Sequence, residues 1–581
     1  MVALLILPSL VAIAKAFVLV MAGYGWIETS RVDLRGNVLE RIVLGICLGL
    51  TGAVISSSLV IAARLPFDST DYAVVIFAIF LIVVWLLSKP NLTMPVGGLR
   101  VVSKYWLPIV LFLFHLILWT TYLVDYPYFP NTEPPDAVFH AEITLSVLQG
   151  AFSSPIGPTG LAGGAHILFA FVSSYFGMSV IAAERVTAAF VESFTILVAY
   201  CLFQRILPSK LAGDYASVAY AIIIPAGFVY FANVGAYPNI IGDFIVLTSL
   251  LLVAIIMPEP KVRSVTTAAL VEVIALISHV TALIFLLLIV GFSLVVFTRF
   301  RTQFRGYVLS NLGFFLVPIT AVISLPSLVG RELSYVSGLY LNLNNDLGLV
   351  LQIWIHNYLF LAGDLNAVLL IAALVLVAFK FRRSFWPSFL ASWFSLLIFL
   401  VFIGTQDWRM VLLSLVPGAG LLGILLSKVH GWLDQLLLPR IRALRRRRAV
   451  VTSMMFLLIV VMAAGGPSPY ALSHAFSNSE PTEQRYIYAS MVWLEENTSS
   501  TASVITVGIP LEYRYLPVVA NRTYVGNFQL NSTGIMKLQS SLGFNFVVVS
   551  TNFSGLNTFY ISNSFRVKYQ NPDVVIFRLQ A

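Results

Sequence analysis

Charged side chains are scarce in this 581-residue chain: together they make up 10% of it, against about 25% in soluble globular domains. Hydrophobic residues reach 59%. A water-facing fold could not hide that much apolar surface, so lipid is required to cover it. Cysteine is nearly absent. Cys47 and Cys201 both fall inside apolar runs, which excludes a disulfide framework and a Cys/His zinc spacing and predicts two free, buried thiols. No small-residue cleavage site follows the apolar stretch Met1 to Tyr24, which Lys15 interrupts. It reads as a membrane span rather than a removed leader. The internal repeats that mark many transporters are not visible.

The net charge of +9 does not point to nucleic acid. The basic residues sit in short loops between apolar runs, as the positive-inside rule requires, and form no stripe. A membrane helix needs about 20 apolar residues. Runs near that length occur at 2–24, 41–62, 71–87, 105–121, 183–204, 213–232, 240–257, 264–278, 279–298, 306–328, 365–379, 386–403, 409–427 and 449–465, with another at 161–178. The unbroken stretch 264–298 would make one helix of about 50 Å, too long for a core of about 30 Å, so it is split at Ser278-His279.

The arginine-rich loop 428–448, together with Lys380 to Arg383, Arg299 to Arg305, Lys261 and Arg263, Arg205 and Lys210, and Lys89 to Lys104, is expected to face the cytoplasm. The segment 122–160 and the tail after 466 then face out. An odd number of crossings must separate 122–160 from 205–212, yet two apolar runs lie between them. One, part of 161–182, is expected to be re-entrant or to lie on the surface.

The tail 466–581 alternates apolar and polar residues at 502–507 and 544–550, as strands do. Glu483 to Glu496 reads as an amphipathic helix with Met491, Trp493 and Leu494 inward. Sequons at Asn497, Asn521, Asn531 and Asn552 cluster there and agree with an outside location. The predicted fold is a polytopic α-helical membrane protein of about 14 transmembrane helices with a small C-terminal extracytoplasmic α/β domain. It divides into N-terminal transmembrane helices (1–104), a transmembrane core (105–465) and the outer domain (466–581).

Chemistry-bearing residues gather at the outer face. The proline- and aromatic-rich loop 126–142 carries Glu133, Asp136 and His140. Asp136 opens a helix predicted over 137–150, and His140 lies four residues on, on the same face. Asp136 reads as an N-cap or as a general base; a carboxylate pair with an imidazole also suits a hard divalent cation such as Mg or Mn. Arg409 opens the span 409–427. It reads as a phosphate fork or as an interfacial anchor paired with Asp407. His279 and His356 fall on the same side, and Tyr237-Pro238-Asn239 opens another span there. Glu184, Glu192 and Glu272 lie within apolar runs, where carboxylates are costly and usually face a cavity or a partner.

This layout resembles the GT-C superfamily of integral membrane glycosyltransferases, in its prokaryotic and archaeal form. Glu133, Asp136 and His140 look like the acidic motif of the first outer loop. Gly177-Met178 and Glu184 to Phe190 resemble the stretch after the surface helices. Ala236 to Asn239 and Ser278 to Thr281 look like recurring outer turns, and Arg409 with Pro417 looks like the late arginine-containing span. The three spans before residue 104 are extra to the usual core. The Trp-Trp-Asp signature of oligosaccharyltransferases is absent, and so is an Asp-x-Asp in the loop.

The resemblance implies transfer of a sugar from a polyprenyl-phosphate donor, with inversion, to a glycan, lipid or protein acceptor outside the cell membrane. It makes Asp136 the base, with Glu133 and His140 beside it, and gives Arg409, His279 and His356 the donor phosphate. A divalent cation, if used, would sit on Asp136 and Glu133. Two other readings stay open: a non-catalytic cell-envelope scaffold, and a transporter or lipid flippase using the buried carboxylates.

Overall fold

In the computed structural model, residues 2–32, 34, 37–87, 105–125, 135–150, 163–223, 237–279, 281–316, 363–402, 407–437, 444–466, 481–508, 513 and 515–580 are described. The helices are α1 (Val2–Ser30), α2 (Val38–Ala62), α3 (Ser69–Leu87), α4 (Trp106–Asp125), α5 (Pro135–Leu148), α6 (Gly164–Phe176), α7 (Val180–Ile206), α8 (Lys210–Val218), α9 (Tyr237–Ile256), α10 (Val262–Ser278), α11 (Thr281–Arg299), α12 (Arg301–Ser310), α13 (Asp364–Lys380), α14 (Phe385–Phe402), α15 (Asp407–Leu437) and α16 (Leu444–Ala464). A π-helical turn, Ala219–Ile223, continues α8. Among the described helices, α1, α2, α4, α7, α9, α15 and α16 are long and apolar enough to cross a membrane by length and composition.

Helix α7 gives the bundle its direction. Its 27 residues reach about 40 Å at 1.5 Å per residue. Ser179 caps its start, accepting from Ala182 N at 3.3 Å. Its far end carries Arg205, whose guanidinium grips the buried Glu40 carboxylate through Nε at 2.7 Å and Nη2 at 2.6 Å. The C-terminal domain packs against the start of α7, so that domain and the arginine-bearing ends lie at opposite poles of the bundle.

The crossing-number conflict resolves at α6. Left-handed Gly177, at φ 68°, turns the chain directly from α6 into α7. At one end of α6, Lys15 Nζ donates to the Tyr175 carbonyl and sits 4.7 Å over the Tyr175 ring. At the other end Gly164 abuts Ser278, where an added Cβ would stand 2.9 Å from Oγ. Both contacts are at the pole of the C-terminal domain, and a helix of 13 residues is too short for a core of about 30 Å. Helix α6 therefore lies at that pole without crossing. The split at His279 also holds: that residue is extended (φ −160°, ψ 150°) between α10 and α11.

Small residues let the first helices approach. A Cβ on Gly23 would run into the Gly45 carbonyl oxygen, and one on Gly49 into that of Leu19. With no water to expel between helices in lipid, close backbone contact is what holds such a pair.

The C-terminal domain comprises α17 (Pro481–Asn497), β1 (Ser503–Val507), α18 (Leu516–Ala520), β2 (Thr523–Phe528), α19 (Ser532–Leu542), β3 (Phe546–Ser550), α20 (Leu556–Ile561), β4 (Phe565–Gln570) and β5 (Val574–Leu579). The five strands lie in the order β2-β1-β3-β5-β4. β2, β1 and β3 are parallel, and β5 runs antiparallel to both β3 and β4. One face of the sheet (Val504, Val548, Ile576) packs on Met491 and Leu494 of α17, as the sequence predicts; Trp493 is half-buried, stacked on Tyr569. The other face (Ile505, Val549, Phe577) packs on Ile535 of α19 and Phe559 of α20. All four sequon asparagines of the domain are exposed. Buried Arg522 ties the layers together: its Nη2 donates to the carbonyls of Glu495 and Thr498, each at 2.6 Å, placing a cation at the C-terminus of α17.

Gly23→Ile should overpack the α1–α2 seam and lower the midpoint of thermal unfolding in detergent, at a cost of about 1–3 kcal/mol. Gly291→Ala, where a Cβ meets nothing within 4 Å, should be neutral or slightly stabilising. Equal midpoints for the two variants would refute the packing argument.

Candidate functional site at the pole of the C-terminal domain

Helix α5 lies between bundle and outer domain. Ala137, Val138 and Ala141 share one apolar core with Val180 and Ile181 of α7 and with Met491, Tyr513 and Leu516 of the domain. That core orients the first turns of α5. Asp136 is the second residue of α5 rather than the residue before it, so it sits in the first turn, where the helix dipole favours a carboxylate. The Asp136 side chain lies outside the described residues, as does Glu133.

His140, one turn on, does not simply follow Asp136. Its Nδ1 lies 3.0 Å from Nε2 of His166 at the start of α6. His166 is buried, its own Nδ1 has no hydrogen-bond partner among the described residues, and burial pushes its imidazole down to about 4. The contact of Gly164 with Ser278 sets the 278–279 turn against this start of α6. His279 is thereby brought to the pole that holds His140 and His166. Arg409 is the third residue of α15, with its side chain outside the described residues. His356 lies outside them altogether.

Beside the histidines is a buried polar cluster around Glu184, one of the carboxylates that the sequence places within an apolar run. Glu184 and Arg185, 2% and 3% exposed, stand one turn into α7. Thr144 of α5 donates to Glu184 Oε1 at 2.7 Å. The Arg185 guanidinium lies 5.9 Å over the Tyr122 ring at the end of α4. Tyr237 opens α9 next to this pair, and Tyr515 reaches it from the loop after β1. Helices α4, α5, α7 and α9 and the C-terminal domain thus meet around one carboxylate and one guanidinium. The doublet Tyr513-Arg514-Tyr515 after a strand was the available signal for the domain's share. The i, i+4 arrangement of Asp136 and His140 hid His166, which only tertiary packing supplies.

Two further membrane carboxylates have structural partners. Glu192 takes Nδ1 of His115 at 3.0 Å and Nε1 of Trp119 at 2.9 Å. His115 Nε2 reaches the Ala221 carbonyl of the π turn at 2.7 Å. Glu272 accepts the Gly313 and Phe314 amides at 2.7 and 3.2 Å, capping the helix that begins at 312.

Among the described residues no three metal-ligating side chains converge. The two imidazoles alone do not make the oxygen-rich octahedral site that Mg or Mn prefers.

No known family profile matches the sequence, and no curated protein matches it. Solved structures do. The Archaeoglobus fulgidus oligosaccharyltransferase tethered with an acceptor peptide superposes with TM-score 0.51 at 14% identity, over 77% of this chain and 69% of that one. AglB from the same organism, with an inhibitory peptide and a dolichol-phosphate, gives 0.51 at 15% over 77% and 70%. ArnT from Cupriavidus metallidurans bound to undecaprenyl phosphate gives 0.50 at 12% over 81% and 97%. The chain has the GT-C fold. Helices α1 to α3 form an N-terminal bundle packed on α6 and α10.

The His166 shift has a testable sign. Between about pH 6.5 and 4 the unfolded chain binds a proton that the folded chain refuses, so stability falls as pH drops through that window. The slope approaches ~1.4 kcal/mol per pH unit. His166→Asn should flatten the pH dependence of the unfolding midpoint by one proton relative to the parent; an unchanged slope would show that His166 is not held neutral.

Proposed function

We propose that the chain is a membrane glycosyltransferase that moves a sugar from a polyprenyl-phosphate-linked donor to an acceptor on the outer face of the cell membrane. The observation that carries this reading is the position of α5. Its first turn, bearing Asp136, is wedged between the bundle and the outer domain, next to the buried Glu184–Arg185 cluster. The GT-C fold supports it, and so do the undecaprenyl phosphate and dolichol-phosphate held by two proteins of that fold.

On this reading Asp136 takes the proton of the acceptor hydroxyl as its oxygen bonds to the anomeric carbon. The bond from that carbon to the phosphate oxygen breaks with inversion, and the electron pair leaves with the polyprenyl phosphate. Glu133 and His140 flank the base. Arg409, with His279 and His356, receives the phosphate, whose charge suits a guanidinium fork. Arg185, already buried at this pole, adds a second guanidinium to the electrostatics of the site. A divalent cation, where present, would be held by Asp136 and Glu133 and would neutralise phosphate charge. The outer domain, through Tyr515, closes the acceptor side.

Transfer from a panel of radiolabelled polyprenyl-phosphate sugars, with purified protein in lipid, tests the reading. Asp136→Asn should lower kcat by at least about 100-fold, the usual scale of a general base, with folding intact. Arg409→Lys should raise KM for the donor more than it lowers kcat. Transfer retained in full by Asp136→Asn would remove the base assignment. Absence of transfer and hydrolysis with every donor in the parent protein would favour the scaffold reading.

A further inference from the structure

At the pole opposite the outer domain lies a cavity of about 200 Å³ that the transfer reaction does not use. Arg31 from the end of α1, Arg205 from the end of α7 and Lys261 from the entry to α10 line it, together with Ser264, Ile256 and Trp386. The three cations come from three separate elements, so their meeting is a product of the tertiary fold and not of one basic run.

Their charges are only partly answered. Arg205 is locked by the Glu40 fork. That fixes its guanidinium plane. Lys261 Nζ is 3.4 Å from Glu259, a carboxylate 76% exposed and therefore weakly held. Arg31 enters no ion pair among the described residues. Among the described residues, three cations meet two carboxylates here, Glu40 and Glu259, a balance that suits one phosphate diester. At the entry to α10, Ser264 Oγ accepts the Lys261 backbone N–H at 3.3 Å, which fixes the turn that carries the lysine. The walls are mixed in a way a free ion does not need. Ile256 and the preceding turn of α9 are apolar, and the indole of Trp386 stands at the start of α14, where an interfacial tryptophan belongs.

We propose that this cavity binds the phosphate of an anionic phospholipid, with the headgroup against Arg31, Arg205 and Lys261 and the glycerol end against Ile256 and Trp386. Basic pockets between membrane helices on the lysine- and arginine-rich side take such headgroups, because that leaflet carries the anionic lipid. Guanidinium forks suit the phosphate oxygens. Bound there, the lipid ties together the ends of α1 and α7 and the α9–α10 connection. It acts as an anchor for the N-terminal bundle. The proposal is independent of the transfer reading.

Native mass spectrometry and thermal unfolding of the full chain in detergent test it, with phosphatidylglycerol, phosphatidylcholine and inorganic phosphate added in separate arms. Phosphatidylglycerol should remain bound at one per protein and raise the unfolding midpoint, while phosphatidylcholine should not. The pair Arg31→Ala with Lys261→Ala should weaken phosphatidylglycerol binding at least tenfold. Arg445→Ala with Arg446→Ala, on an exposed part of α16 outside the cavity, should leave it unchanged. Should the double variant fold poorly, Arg31→Lys replaces it. That variant keeps the charge, removes the fork, and should still lose several-fold in affinity. Equal binding of the two lipids, or unchanged phosphatidylglycerol binding in the cavity variants, would overturn the proposal. Equal stabilisation by inorganic phosphate would overturn the lipid assignment and leave a free-phosphate site.

Discussion

Every polar group inside the apolar bundle must find its partner within the protein, because lipid offers none. That requirement organises the rest of the molecule. Glu192 is answered by His115 and Trp119, and Glu272 by two backbone amides at a helix start. Glu40 is answered by Arg205. Each of these pairings locks helices that are distant in sequence: α4 to α7, α10 to the segment after α12, α2 to α7. Helix α7 takes part in several of them, and it is also the helix whose two ends define the poles.

The carboxylate at Glu184 differs from these. It is as buried as the others, yet its partners are a threonine hydroxyl from a surface helix and a neighbourhood shared with Arg185, Tyr122, Tyr237 and Tyr515. A group answered by several elements that could shift relative to one another is poorly suited to being a rivet. It is well suited to a site that opens and closes around a substrate. The outer domain is part of this arrangement and not an appendage, because its apolar core is continuous with that of α5 and the start of α7.

Much of this was legible beforehand. The break at His279, the sheet segments near 502–507 and 544–550, the inward Met491 and Leu494, and the opposition of arginine-rich loops to the tail all follow from composition and periodicity. These signals work because a lipid-facing helix, a half-buried strand and a basic loop each impose a local residue pattern. The GT-C likeness was also readable, as a layout of loops and spans rather than as a motif. Asp136 and His140 were visible as a spaced pair; that His140 would meet His166 instead was not, since 26 residues separate them and no local rule links the two.

The sequence by itself determined that the chain is mostly apolar helix and that a small sheet follows near its C-terminus, because those depend on residue type over short windows. Only the tertiary structure decided that α6 fails to cross, that Glu272 caps a helix, and that Glu184 and Arg185 meet the C-terminal domain. It also brought Arg31, Arg205 and Lys261 around one cavity. These outcomes depend on which helix ends meet in space, and burial alone turns a carboxylate or guanidinium from a tolerated residue into one whose partners must be found.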